Sequence, residues 1–242
     1  MPISPFSTEN YKWETQYKVI ESSEIASSLK VKFSKKELEV LKPLRDMRFI
    51  GSAQYRKIFL KGDKGMINQL IRDKKVLEHP IIQIGKAESG GAARQTWYFY
   101  TLGLSSLKYF DMVDEVNYWM DYKTAEVLQR FAFFKLFSKF ISNKPAIYCS
   151  GQPFVGTIEM AEPIDILVVK ENTREIQQEW RFRKPNQQRR IIVLTENINW
   201  LKPIEELLVD FKVRVVLESE LNSPLSELFY KWNEKSMEWV KA

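Results

Sequence analysis

Between residues 34 and 72 apolar positions recur at the helical period in three segments, and two strand-like runs separated by a small-residue tip follow. Ser34 opens the first segment with Glu37 three residues on, a spacing in which each side chain satisfies the other's free backbone N–H at a helix start. Leu38, Leu41 and Leu44 continue it as one apolar stripe. Gly51, after Phe49 and Ile50, is expected to close that helix, and Ser52 to cap a second over residues 53–59. Lys61-Gly62 reads as a turn, and Asp63 as the cap of a third helix. There Met66, Ile67, Leu70 and Ile71 face inward, leaving Lys64, Asn68, Gln69, Arg72 and Lys75 outside. Pro80 ends the helical possibilities, and residues 81–84 read as a strand. Residues 85–93 form a tip edged by Lys86 and Arg94, and 95–102 (QTWYFYTL) return as a second strand. Three helices followed by a hairpin is the order of a winged helix-turn-helix, which we expect over residues 34–110.

The rest of the chain changes character. Residues 105–122 carry aromatics at helical spacing, and 124–141 read as a strong helix with Val127, Leu128, Phe131, Phe134, Leu136, Phe137 and Phe140. That helix is expected to bury its face in a core or against a second copy, which keeps a homodimer open. Strand patterns at 146–149, 154–160, 164–169, 191–194 and 213–217 then alternate with helical ones at 174–181, 203–211 and 224–239. The expected fold class is therefore α+β or α/β: an N-terminal winged helix-turn-helix, then a small α/β domain with a partly parallel sheet over residues 111–242. Residues 1–33 are expected to form an arm anchored by Trp13 and Tyr17, with a serine-rich mobile connection near 22–30.

Charge sharpens this picture. The 242 residues hold 37 Lys and Arg against 31 Asp and Glu, a net of +6. Residues 1–110 hold 19 against 11, a net of +8, and the remainder is net −2. The positive excess thus sits in the half with the expected winged helix. Clustered Lys and Arg neutralise phosphates and release counterions, so duplex DNA is favoured over a purely protein-docking role. No run of about 18 apolar residues suggests a membrane span, and the first residues lack the basic and apolar regions of a secretory signal, so a cytoplasmic location is expected. Cys149 and His79 are the only residues of their types, which excludes an intrachain disulfide and a His/Cys zinc cluster. A Cys149–His79 nucleophilic pair competes with a buried thiol and a helix-end imidazole, and the latter are expected. No glycine-rich phosphate loop is present, so no nucleotide cofactor is expected.

Two features together resemble the replication-relaxation proteins carried by plasmids and other bacterial mobile elements. One is the aromatic return strand ending in a Leu-Gly turn, Tyr98-Phe99-Tyr100-Thr101-Leu102-Gly103. The other is the order of winged helix, long helix and small α/β domain, with Pro163-Ile164-Asp165-Ile166-Leu167 and, later, Ile191-Ile192-Val193-Leu194-Thr195-Glu196. The resemblance spans roughly residues 34–230 and implies a second domain similar to the PD-(D/E)xK nuclease core. Such nucleases hold a divalent metal with an Asp on one strand and a Glu-x-Lys on the next. Asp165 takes the Asp position with Glu162 beside it, but Glu179-Trp180-Arg181 falls in a helical segment and offers Arg for Lys. The strand at 191–194 supplies neither acid nor lysine. The metal site is therefore read as lost, and the chain as a non-enzyme without cofactor.

On this reading Asn68, Gln69 and Arg72 meet base edges in the major groove. Arg56, Lys57, Lys61, Lys64, Lys75, Lys86 and Arg94 contact phosphates and set the register. The basic loop at 184–190 could touch phosphate or simply face solvent. The expected function is sequence-selective binding of double-stranded DNA in replication, transfer, maintenance or transcriptional control of a mobile element. A homodimer and a replication or transfer protein are the expected partners. A metal-dependent nuclease and a winged helix that docks on protein are the competing expectations.

Overall fold

The computed structural model describes residues 3–26, 31–86, 92–143, 145–170, 172–182, 189–208 and 211–242. The chain is a mixed α and β protein that divides into two compact units. One is Glu9–Val127; the other joins Met1–Thr8 to Leu128–Ala242.

In the Glu9–Val127 unit, β1 (Lys12–Thr15) and the short α1 (Ser22–Ala26) precede α2 (Lys35–Met47). Ser34 and Glu37 form the reciprocal cap at the start of α2. Val40, Leu41, Leu44 and Met47 form its buried face. Arg48 follows with φ of 68°, and the chain runs into β2 (Phe49–Gly51). Next come α3 (Ser52–Ile58), α4 (Lys64–Arg72), β3 (Val76–Lys86), β4 (Ala92–Leu102) and α5 (Leu104–Tyr109). Four strands form an antiparallel sheet in the order β1-β3-β4-β2.

Several expectations are corrected here. Phe49 to Gly51 is a strand rather than a helix end, because its backbone pairs with Phe99 to Thr101 of β4. Ser52 is the first residue of α3, and Gly51 stands at the cap. β3 begins before Pro80 and passes through it, so the missing proline N–H is tolerated inside a long hairpin strand. Only α5 and two 3₁₀ turns, Val113–Glu115 and Tyr118–Asp121, form in the aromatic stretch 105–122. That stretch belongs with the first unit: Trp119 donates its indole N–H to the Lys18 carbonyl at 2.8 Å, and the Tyr118 hydroxyl donates to the Arg48 carbonyl.

Helix α6 (Thr124–Phe137) crosses the boundary between the units. The second unit then builds β5 (Ala146–Tyr148), β6 (Gly156–Glu159), β7 (Ile164–Val169), α7 (Thr173–Phe182), β8 (Arg190–Thr195), α8 (Glu205–Leu208), β9 (Lys212–Leu217), β10 (Phe229–Asn233) and β11 (Glu238–Lys241). These strands form one sheet in the order β11-β10-β9-β8-β7-β6-β5, with β7, β8 and β9 parallel and the other pairs antiparallel. β7 is buried along its whole length and β8 at all but its first residue, as central strands are, whereas β9 exposes Lys212 and Arg214. Leu167, Val193, Val215, Trp180 and Leu201 lie in the core on one face. No terminal helix forms over 224–239: apart from one 3₁₀ turn at Leu225–Glu227, the segment is the β10–β11 hairpin, in which Trp232 and Trp239 are cross-strand partners.

Candidate nucleic-acid interface

Asp63 fixes the start of α4 by accepting the Met66 N–H at 2.9 Å, and Lys36 holds the same carboxylate at 3.2 Å. The Asp63 carboxyl is held below the usual carboxylate range, first by the Met66 N–H and then by Lys36. Ile67 and Leu70 anchor the buried side of the helix. Four-residue spacing then lines Lys64, Asn68 and Arg72 along its exposed side. Lys57 at the end of α3 and Lys61 after it are also exposed, as is Arg94 on β4. These six side chains make no hydrogen bond or ion pair among the described residues. Lys61 stands at φ of 50° and Gly62 at 84°, so the connection between α3 and α4 is a tight left-handed turn.

Other expected contacts are differently employed. Lys75 is buried: its ammonium donates to Glu37 Oε1 at 2.5 Å, lies 3.3 Å from Asp73 and sits over the Phe33 ring. It lies beyond the last turn of α4, where the helical period no longer governs direction, so it is a structural cation instead of a phosphate contact. Burial would raise the Glu37 carboxyl, but Lys75 and the Ser34 groups outweigh it and hold it below its ordinary value. Gln69 donates to both Asp73 oxygens, at 3.1 and 3.0 Å, so reading a base would require it to release that carboxylate. Arg56 donates to the Tyr100 hydroxyl at 2.7 Å and approaches Glu78 at 3.9 Å, so it is partly neutralised. The Lys86 side chain, the hairpin tip at 87–91, the loop at 183–188 and the connection at 27–30 lie outside the described residues.

His79 is a core residue of β3 and not a helix end. The Lys18 N–H donates to its Nδ1 at 3.1 Å, which places the ring proton on Nε2, 2.9 Å from Thr101 Oγ1. The ring stacks on Phe99 at 4.8 Å, and burial pushes its pKa down to about 3. Cys149 is exposed, contrary to the buried thiol expected, with Arg130 at 3.4 Å from its sulfur.

In the second unit, Asp165 is buried and fully engaged. Thr157 donates to its Oδ1 at 2.6 Å, and Arg189 lies 3.0 Å from Oδ2 and 3.2 Å from Oδ1. Among the described residues, no second carboxylate of the kind the nuclease resemblance requires stands beside Asp165: Glu162 is exposed and pairs with Arg190, and Glu179 sits on α7. A guanidinium occupies the space a cation would need, so the residues present do not fit a divalent metal. Among the described residues no group of three or more His, Cys, Asp or Glu is placed to hold one.

A second buried polar group went unrecognised in the sequence. Lys170, Glu196 and Glu218 each lie one residue beyond a parallel strand, and the register Val169–Thr195–Leu217 sets them side by side. The Lys170 ammonium is 2.6 Å from Glu196 and 3.2 Å from Glu218. Residues near the N-terminus close the cluster: Ser4 donates to Glu218 at 2.6 Å, the Thr8 N–H donates to Glu196 at 3.2 Å, and Lys170 donates to the Phe6 carbonyl at 3.0 Å. Burial raises the Glu218 carboxyl above its ordinary value, with Lys170 opposing. Equal strand ends were the available signal, but nothing local to residues 4–8 announces their partners. No protein-family model matches the chain, and comparison with curated proteins and with solved structures returned no match.

Proposed function

We propose that residues 34–110 form a winged helix-turn-helix that binds double-stranded DNA, with α4 in the major groove and the β3–β4 hairpin against the backbone. One observation carries the reading: Lys57, Lys61, Lys64, Arg72 and Arg94 are exposed and have no carboxylate partner among the described residues, around a helix whose outer stripe also presents Asn68. The element order α2-β2-α3-α4-β3-β4 supports it. Asn68 and Arg72 are the base readers, since amides suit adenine and a guanidinium fork suits guanine. The lysines and Arg94 set position on phosphates. Service to replication, transfer, maintenance or transcriptional control of a bacterial mobile element rests on the family resemblance alone. We read the chain as a non-enzyme because Asp165 is committed to Thr157 and Arg189.

Two copies on two half-sites would suit this role, but their contact would use a surface other than the α6 aromatics, since Phe131, Phe133, Phe134 and Phe137 are buried within one chain. The test is a duplex site selected from a random library and compared with unselected duplex. Arg72→Ala should cost about 1–3 kcal/mol on the selected site and relax discrimination at one position. Equal loss on both duplexes would make Arg72 a phosphate contact, and no selected site at all would favour a protein-docking role. Magnesium-dependent nicking removed by Asp165→Asn would instead establish the nuclease reading.

A further inference from the structure

Residues 111–242 have a net charge of −2, yet one face of their sheet gathers cations. Arg190 of β8 is the register partner of Lys212 of β9, and Arg214 lies two residues further along the same face. Val215 pairs with Tyr230, so Lys231 of β10 shares the face of Arg214. Neighbouring strands are about 4.8 Å apart and alternate residues along a strand about 6.6 Å, so the four cations form a compact array. All four are exposed. Arg190 pairs with Glu162 at 2.6 Å, but both side chains are more than half exposed, so the pair is solvent-screened. Lys212, Arg214 and Lys231 have no carboxylate partner among the described residues.

The same four residues edge a cleft of about 780 Å³ whose other walls are largely apolar. Ile192 is the register partner of Arg214, and Phe229 lies one row beyond Arg214 and Lys231 on that same face, whereas the half-buried Phe211 and Trp232 pack against the core of the opposite face. Glu234 is the one carboxylate among the described lining residues. A duplex hides its base faces and would leave such a floor unused. An unpaired strand offers both parts of the complement, a flat base for the Phe229 ring and phosphates for the cations. Arginine forks add bidentate hold on phosphate.

We infer that this cleft binds single-stranded nucleic acid, seating a base against Phe229 while Arg190, Lys212, Arg214 and Lys231 take the flanking phosphates. The site is built on a unit other than the one that holds α4, and it does not depend on α4 binding duplex.

The experiment uses the full chain, a fluorescein-labelled oligo-dT strand and an abasic phosphodiester strand of equal length, read by anisotropy at low salt. Oligo-dT should bind at least about tenfold more tightly than the abasic strand, the factor expected for one stacked base. The variant Lys212→Glu/Arg214→Glu/Lys231→Glu should lose oligo-dT binding and keep the duplex affinity of the parent, whereas Arg72→Ala should do the reverse. Equal affinity for the two strands would reduce the cleft to a charged surface and overturn the proposal. So would an acidic peptide that occupies the cleft in a chain indifferent to oligo-dT. Should the triple variant fail to fold, the comparison of oligo-dT with the abasic strand on the unaltered chain decides alone.

Discussion

His79 links a single ring to the pH response of the whole first unit. Its folded pKa of about 3 lies below the ordinary 6.5, so between those values the unfolded chain binds the extra proton and stability falls as pH falls. The slope from this group is about 1.4 kcal/mol per pH unit well below 6.5. Urea midpoints measured from pH 7 to pH 5 should decline, and His79→Gln should flatten the decline; an unchanged slope in the variant would place the titration elsewhere. Lys170 is a second residue with a disproportionate role. Its ammonium lies between the buried carboxylates of Glu196 and Glu218, and breaking a buried pair leaves the remaining charge uncompensated. Lys170→Met should cost about 3–5 kcal/mol in chemical unfolding, and a loss under about 1 kcal/mol would show that water already screens the carboxylates. Lys75→Met should likewise lower stability and leave the salt dependence of DNA binding as it is, since its ammonium is spent on Glu37.

Gly103 decides how the β3–β4 hairpin passes into α5. A Cβ there would sit 2.4 Å from the Lys74 carbonyl oxygen, and the Gly103 N–H donates to the Lys75 carbonyl at 2.9 Å. Gly103→Ala should therefore destabilise by about 1–3 kcal/mol through forced backbone displacement, measured by urea unfolding; a neutral result would mean the two segments separate at no cost. Elements set by local chemistry were the ones legible in sequence. The cap at Ser34 and Glu37, the cap at Asp63 and the apolar parallel strands each announce themselves within a few residues. Elements set by distant pairing were not. β2 is three residues long and exists through β4, and Trp232 and Trp239, seven apart, mimic a helical period while facing one another across a hairpin. The outward stripe of α4 was legible for Lys64, Asn68 and Arg72, and misread at Lys75, where the helix had already ended.

At the scale of the molecule, chain order and unit order differ: residues 3–8 join the C-terminal unit, while residues 9–127 form the other. The first 33 residues read as one arm because the Lys170-cluster partners of Ser4, Phe6 and Thr8 are more than 160 positions away in sequence. Deleting residues 1–8 should lower the unfolding midpoint of the full chain by stripping three hydrogen bonds from the buried Lys170 cluster, and an unchanged midpoint would show that solvent replaces them. The uneven charge of the two halves bears on the central claim, that the first unit grips duplex DNA through exposed, unpaired cations. The most direct measurement is the dependence of duplex affinity on salt for the parent chain and for Lys57→Ala/Lys61→Ala/Lys64→Ala. Each lysine withdrawn from a phosphate should reduce the log–log slope by about 0.9, so the variant should fall below the parent by about 2 to 3 with a matching fall in affinity. Absence of duplex binding at low salt, or the same slope in both proteins, would contradict the account.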